Sequence, residues 1–182
     1  MKTTKKIFLF IMAALLVMPM LNSCRKGEND PGISFRSRES RLMQHWQLVK
    51  VEGTEQYVFD GQTLTFIYSY DGSIYTISGS GQSGSMMGTF DIEFLEHGKV
   101  NINETLTADG ATNVYKGTGT WQWLDSDKSQ NYLFVDGATM FGGGILYIDR
   151  LANKELVLKE SYEENDDGDM AKVEFTYTFE PK

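Results

Sequence analysis

The sequence predicts an all-β protein: a single antiparallel up-and-down barrel of eight to ten strands, set behind an export leader and a flexible tether. Three observations carry this. After residue 42, apolar and aromatic residues recur at every second position, the period at which a strand turns one face to a core. Turn dipeptides such as Asp60-Gly61, Asp71-Gly72 and Asp109-Gly110 separate these runs, and glycine lets the chain reverse tightly because it adopts positive φ without a steric penalty. No amphipathic stretch of three helical turns intervenes. Eighteen glycines, nine tyrosines and eleven phenylalanines suit the same class, and pairing neighbours in order until the sheet closes would remove exposed edges.

The chain opens in a different style. Lys2, Lys5 and Lys6 precede an apolar stretch, 7–20, interrupted only by Pro19, which is the layout of a secretory signal peptide. Fourteen helical residues would reach ~21 Å at ~1.5 Å each, against ~30 Å of hydrocarbon, so a removable leader is favoured over a permanent span. The run ends at Leu21-Asn22-Ser23-Cys24, which holds the only cysteine of the sequence. This segment resembles the lipobox of bacterial lipoproteins, with Leu21, Ser23 and Cys24 matching its pattern. The resemblance implies that 1–23 is removed and that Cys24 takes a thioether-linked diacylglycerol and an amide-linked acyl chain. The protein would then be held at the outer membrane of the cell envelope, with the leaflet left open. The alternative is an unpaired thiol on an exported chain.

Removing the leader takes three lysines and no acid. The balance moves from 17 basic and 25 acidic residues to 14 and 25, a net charge near −11. That charge argues against nucleic acid as a partner, and against a body lying flat on an anionic membrane. About 160 residues remain, enough for one domain with a sizeable core. With no further cysteine, its stability has to come from packing.

Taken in order, 24–41 contains Gly27, Pro31 and Gly32 among scattered charges without periodicity, and reads as a tether. The barrel domain is expected over 42–182. Strand one, 42–51, sets Trp46, Leu48 and Lys50 opposite Gln47, Val49 and Val51. In 64–70, Leu64, Phe66, Tyr68 and Tyr70 share a side, and Asp71-Gly72 leads into a strand over 73–78. The stretch 79–84 spells a glycine-rich dinucleotide fingerprint, but a strand pattern rather than a helix follows it, so it reads as a flexible loop. Phe90, Ile92 and Phe94 then alternate with acids, and Val100 and Ile102 with asparagines. Tyr115, Gly117, Gly119, Trp121 and Trp123 share the longest face, glycines for a bend and indoles for an interior. Shorter runs follow at 132–135, 144–150 and 155–160. The last, 172–180, places Val173, Phe175, Tyr177 and Phe179 opposite polar residues.

The opening pattern around Trp46, Leu48 and Val49 behind a lipobox tether, with Trp121-Gln122-Trp123 and the late run Glu155-Leu156-Val157-Leu158, resembles lipocalin-like lipoproteins of Gram-negative bacteria. The resemblance spans 42–180 and implies a barrel with an interior ligand site. Two features depart from it. Gln44 stands where a glycine usually precedes the tryptophan, and the final strand ends in Glu180-Pro181-Lys182 without the arginine that commonly covers that ring.

Aromatic side chains are the best functional lead. Phe66, Tyr68, Tyr75, Tyr115, Trp121, Trp123, Tyr147, Phe175 and Tyr177 are candidates to line a cavity for a small apolar or amphipathic ligand, against the alternative that they are core. Met140-Phe141, in a glycine-rich loop, reads as a rim. Glu163 to Gly168, with Glu174 beyond, nearly writes a calcium loop but lacks flanking helices and reads as an acidic hairpin tip. His45 and His97 have no partner at ligand spacing, so neither a metal, a cofactor nor a catalytic set is expected. The resulting expectation is a membrane-anchored, non-enzymatic ligand-binding barrel. The rivals are a filled barrel that contacts another envelope protein, and an esterase or glycosidase built on carboxylates that spacing does not single out.

Overall fold

The computed structural model describes residues 29–31, 34, 36–124, 131–137, 144–166 and 169–182. The stretch read as a leader, 1–23, Cys24 and the Met140-Phe141 pair read as a rim therefore lie outside the described residues. A one-turn helix α1 (Arg38–Leu42) leads into ten strands: β1 (His45–Phe59), β2 (Gln62–Tyr70), β3 (Ile74–Gly79), β4 (Gln82–Leu95), β5 (Lys99–Ala108), β6 (Ala111–Trp123), β7 (Tyr132–Asp136), β8 (Gly144–Leu151), β9 (Leu156–Asp166) and β10 (Asp169–Pro181). Each strand pairs antiparallel with the next, and β1 pairs with β10, closing an up-and-down barrel. The start of β1 also meets β4, through His45 opposite Glu93, Trp46 opposite Ile92 and Gln47 opposite Asp91. This cinches one end, here called the base.

The turns at the other end, the mouth, explain the register. Asp60-Gly61, Ser80-Gly81 and Asp109-Gly110 each place two successive residues at positive φ, 49° and 72°, 47° and 79°, 51° and 79°. This is the two-residue geometry whose twist matches that of paired strands. The glycine-rich stretch expected as a flexible loop is thus a tight turn, and Gly79 and Gly84 belong to the strands beside it. A Cβ on Gly79 would fall 2.0 Å from the Thr65 carbonyl oxygen, so only glycine lets β3 run that close to β2.

Packing divides the barrel into two halves. Near the base, Trp46, Leu48, Phe90, Ile92, Phe94, Val100, Ile102, Leu133, Leu146, Ile148, Leu156, Leu158 and Phe179 are all at most 1% exposed and form one cluster. A filled interior of this kind is a core, not a channel. Lys50 does not continue the inward side of β1. The register shifts between Leu48 and Lys50, so Val49 is a bulge residue, Val51 turns inward at 1% exposure and Lys50 is exposed. A second shift between Ile148 and Arg150 does the same for Leu151 on β8. An extra residue reverses the side-chain alternation beyond it.

Of the stretch read as a tether, 24–41, the described residues from Asn29 on are docked on the base. Asp30 is buried, its Oδ2 lying 3.1 Å from both Arg38 Nε and Arg41 Nη2, while its Oδ1 accepts the Leu151 N–H at 2.8 Å. Arg38 donates to Asn131 Oδ1 at 2.6 Å, and Arg41 donates to the Leu151 carbonyl. Asn29 Nδ2 donates to Asp149 Oδ1 at 3.2 Å. Both arginines are 1% exposed. Since a buried charge needs a hydrogen-bonded partner, Asp30 and its two arginines form the lock that joins the leading segment to the barrel.

Candidate functional site

Above the packed half, inward-facing residues become aromatic and acidic. Cross-strand pairing stacks them in rows. Val51, Tyr70, Tyr75 and Tyr177 form the lowest row, followed by Gly53, Tyr68, Ile77, Phe175 and Glu160, then by Glu55, Phe66, Val173 and Tyr162. Tyr177, in the lowest row, is 3% exposed. Glu55, Phe66, Tyr68, Tyr75, Glu160 and Phe175 are only half-buried although they face inward, so solvent reaches the upper interior.

The rings touch one another. Tyr68 lies 5.2 Å from Phe175 and 6.2 Å from Tyr75 between ring centroids, and Phe175 stacks on Tyr177 at 5.7 Å with 9° between planes. Gly53 makes this possible, because a Cβ there would sit 2.1 Å from the Phe175 ring. The phenols in turn hold the carboxylates. Tyr68 and Tyr57 donate to Glu55 Oε2 at 2.7 and 3.2 Å, and Tyr177 donates to Glu160 Oε2 at 3.0 Å. Burial pushes the Glu160 carboxyl above its usual range; the Tyr177 hydrogen bond opposes this, while the charge on Glu55 reinforces it. Burial and the neighbouring Glu55 likewise raise the Tyr68 phenol, and burial with Glu160 raises Tyr177. Both phenols therefore stay protonated as donors at neutral pH. Glu104 faces the same interior, opposite Phe90 and Tyr115, and is 8% exposed.

Five of the nine candidate ligand residues, Phe66, Tyr68, Tyr75, Phe175 and Tyr177, thus come together. Trp121 and Trp123 belong to the packed half instead. They meet edge to face at 5.7 Å, and Trp121 donates to the Leu95 carbonyl at 3.0 Å. The Trp123 indole N–H is buried without a hydrogen-bond partner. Tyr115 sits on the inward side near the mouth, 41% exposed, its ring lying where a Gly117 side chain would go. Tyr147 does not line the interior. It alternates with buried Leu146 and Ile148, lies 5.4 Å from Tyr132 and faces outward. Together with Ile145 and Tyr162 these two tyrosines border a cleft of about 670 Å³ along the β8–β9 seam, where Glu160 also appears. Glu55, Glu104 and Glu160 are interior residues that the aromatic pattern alone misses.

His45, which has no carboxylate near it in sequence, meets Asp91 at the base. Asp91 accepts from His45 Nε2, from Asn103 at 3.0 Å and from Lys182 Nζ at 2.8 Å. Burial works against this carboxylate, but the three hydrogen bonds outweigh it and hold its pKa below the usual range. The stability that Asp91 contributes is therefore complete above its unfolded pKa of ~3.9 and is lost as pH falls through the lower folded value. Urea midpoints of the protein and of Asp91→Asn should accordingly differ most at neutral pH and converge as the pH falls through the lowered folded value.

Among the described residues, no group of three His, Cys, Asp or Glu side chains is placed to hold a metal ion. Nor, among them, is any helix long and apolar enough to cross a membrane. The closed antiparallel barrel is consistent with a lipocalin-like fold. Comparison with protein-family models, with curated proteins and with solved structures finds no match to this chain.

Proposed function

We propose that the protein is a lipid-anchored barrel of the bacterial envelope that binds a small amphipathic molecule in the upper half of its interior. The observation that carries this reading is the contrast between the two halves: one is solvent-excluded, while the other keeps inward rings and carboxylates half-buried. Concave sites of this composition, apolar walls with a few placed polar groups, are where small molecules bind. The polar complement also has a sign. Glu55, Glu104 and Glu160 face the interior, so a ligand whose head donates hydrogen bonds or carries positive charge fits better than an anionic one, and ring faces favour the same charge.

Titration calorimetry with dodecylamine and dodecanoate tests the pair directly. The expected result is saturable binding of the amine, weaker binding of the carboxylate, and a loss of about tenfold in amine affinity on Glu160→Gln, on the order of one charged hydrogen bond. If neither probe binds saturably, the ligand reading fails and the filled-barrel interaction module takes its place.

A further inference from the structure

We infer that the barrel stands base-down on its membrane, so that the aromatic and acidic mouth opens away from the bilayer and exchanges ligand with the aqueous phase. The inference rests on the anchoring of Cys24 proposed above and adds to it the direction of the body. Its first ground is where the chain is pinned. Asn29 and Asp30 are fixed to Asp149 and Leu151, and Arg150 donates to the Asn29 carbonyl at 3.2 Å. Leu151 ends β8 at the base, the end at which β1 begins. Arg38 and Arg41 bind Asp30 with under 2% exposure, so this attachment is part of the folded body.

Only five residue steps separate Cys24 from Asn29, a reach of at most ~17 Å at ~3.4 Å per residue. A strand of about eleven residues rising ~3.3 Å each at a tilt of ~40° makes the barrel ~25–30 Å tall. The tether is therefore shorter than the body it holds, and its attachment at the base keeps the mouth from turning down to the surface.

Charge supplies a second ground. The mouth turns and their neighbours include Asp60, Asp109, Glu164 and Asp169, whereas Lys99, Lys154 and Lys182 lie at the base alongside Glu96 and Glu155. Asp71, Asp91, Asp149 and Glu180 lie towards the base as well, and Lys182 pairs with Asp91, so an anionic headgroup layer repels the mouth more than the partly neutralised base.

The test uses the full, lipidated chain from its host, reconstituted in vesicles that contain anionic lipid and a headgroup-labelled energy acceptor. A donor fluorophore is placed at the base through Lys154→Cys or near the mouth through Thr63→Cys; both positions are exposed. Transfer from the base position should exceed that from the mouth position by about twofold or more, given a height of ~25–30 Å. Inserting twenty Gly and Ser residues between Lys26 and Asn29 should erase most of the difference, since a flexible linker of that length spans ~25 Å on average. Equal transfer from the two positions, or greater transfer from the mouth, overturns the orientation. A difference that survives the insertion overturns the short tether as its cause. If the protein instead washes off the vesicles, or its intact mass shows a bare Cys24, the anchoring fails first and the orientation with it.

Discussion

Replacing Asp30 by alanine is expected to destabilise the protein by about 3–5 kcal/mol, because it strands two buried guanidiniums at once. Arg38 and Arg41 are each 1% exposed and share Asp30 Oδ2 at 3.1 Å, and the Leu151 N–H loses its acceptor in the same substitution. Asp30→Asn preserves an acceptor for Leu151 but not the charge, so it should recover only a minor part of the loss. Combining Asp30→Ala with Arg38→Met and Arg41→Met should recover more, since without cations the anion is no longer needed. Urea unfolding at pH 7 measures all three. A shift under about 1 kcal/mol for Asp30→Ala, the range of an exposed ion pair, would mean that the leading segment is not locked to the base.

Trp46→Ala is expected to cost a similar amount, about 3–5 kcal/mol, through loss of a large buried side chain and the cavity it leaves. Trp46 is fully buried and lies at the cinch of the base, opposite Pro181 on β10 and Ile92 on β4, and its N–H donates to the Leu42 carbonyl at 2.9 Å. That bond ties α1 to the first strand, so the ring supports the barrel and the docked segment together. Trp46→Phe keeps most of the apolar volume while dropping the hydrogen bond, and should cost less, about 1 kcal/mol for the lost bond, because the Leu42 carbonyl keeps the Gln44 N–H at 2.8 Å. Thermal unfolding of the two variants separates packing from the bond: equal losses would show that the ring volume is not what matters.

The all-β class, the pairing of neighbours and the inward faces of β2, β4, β6 and β10 were legible from period two and from turn chemistry. The parity of β1 was legible only up to Leu48, because Val49 and Val51 are equally apolar and either could continue the inward side past the bulge. The docked segment was hidden for a different reason. Asp30, Arg38 and Arg41 are charged, and sequence patterns assign charge to solvent, whereas here one carboxylate, helped by Asn131 and the Leu151 carbonyl, partners both guanidiniums out of water. In the candidate site the aromatic half was read directly and the carboxylates were not. Glu160 could have been found, since it continues the inward series of Leu156 and Leu158, and an acid at an inward position of a period-two run signals a polar interior. Glu55 could not, because its side depends on the bulge at Val49. Tyr147 was assigned inward on residue type alone, yet it alternates with Leu146 and Ile148, which fill the core.

Site-resolved chemical-shift mapping during a titration with dodecylamine tests the division of the barrel most directly. The account predicts saturable shifts at Glu55, Phe66, Tyr68, Tyr75, Glu160 and Phe175, with Trp46, Phe94 and Ile148 unmoved. Shifts confined to the outward residues Tyr132, Ile145 and Tyr147, or spread evenly through the packed half, would contradict it.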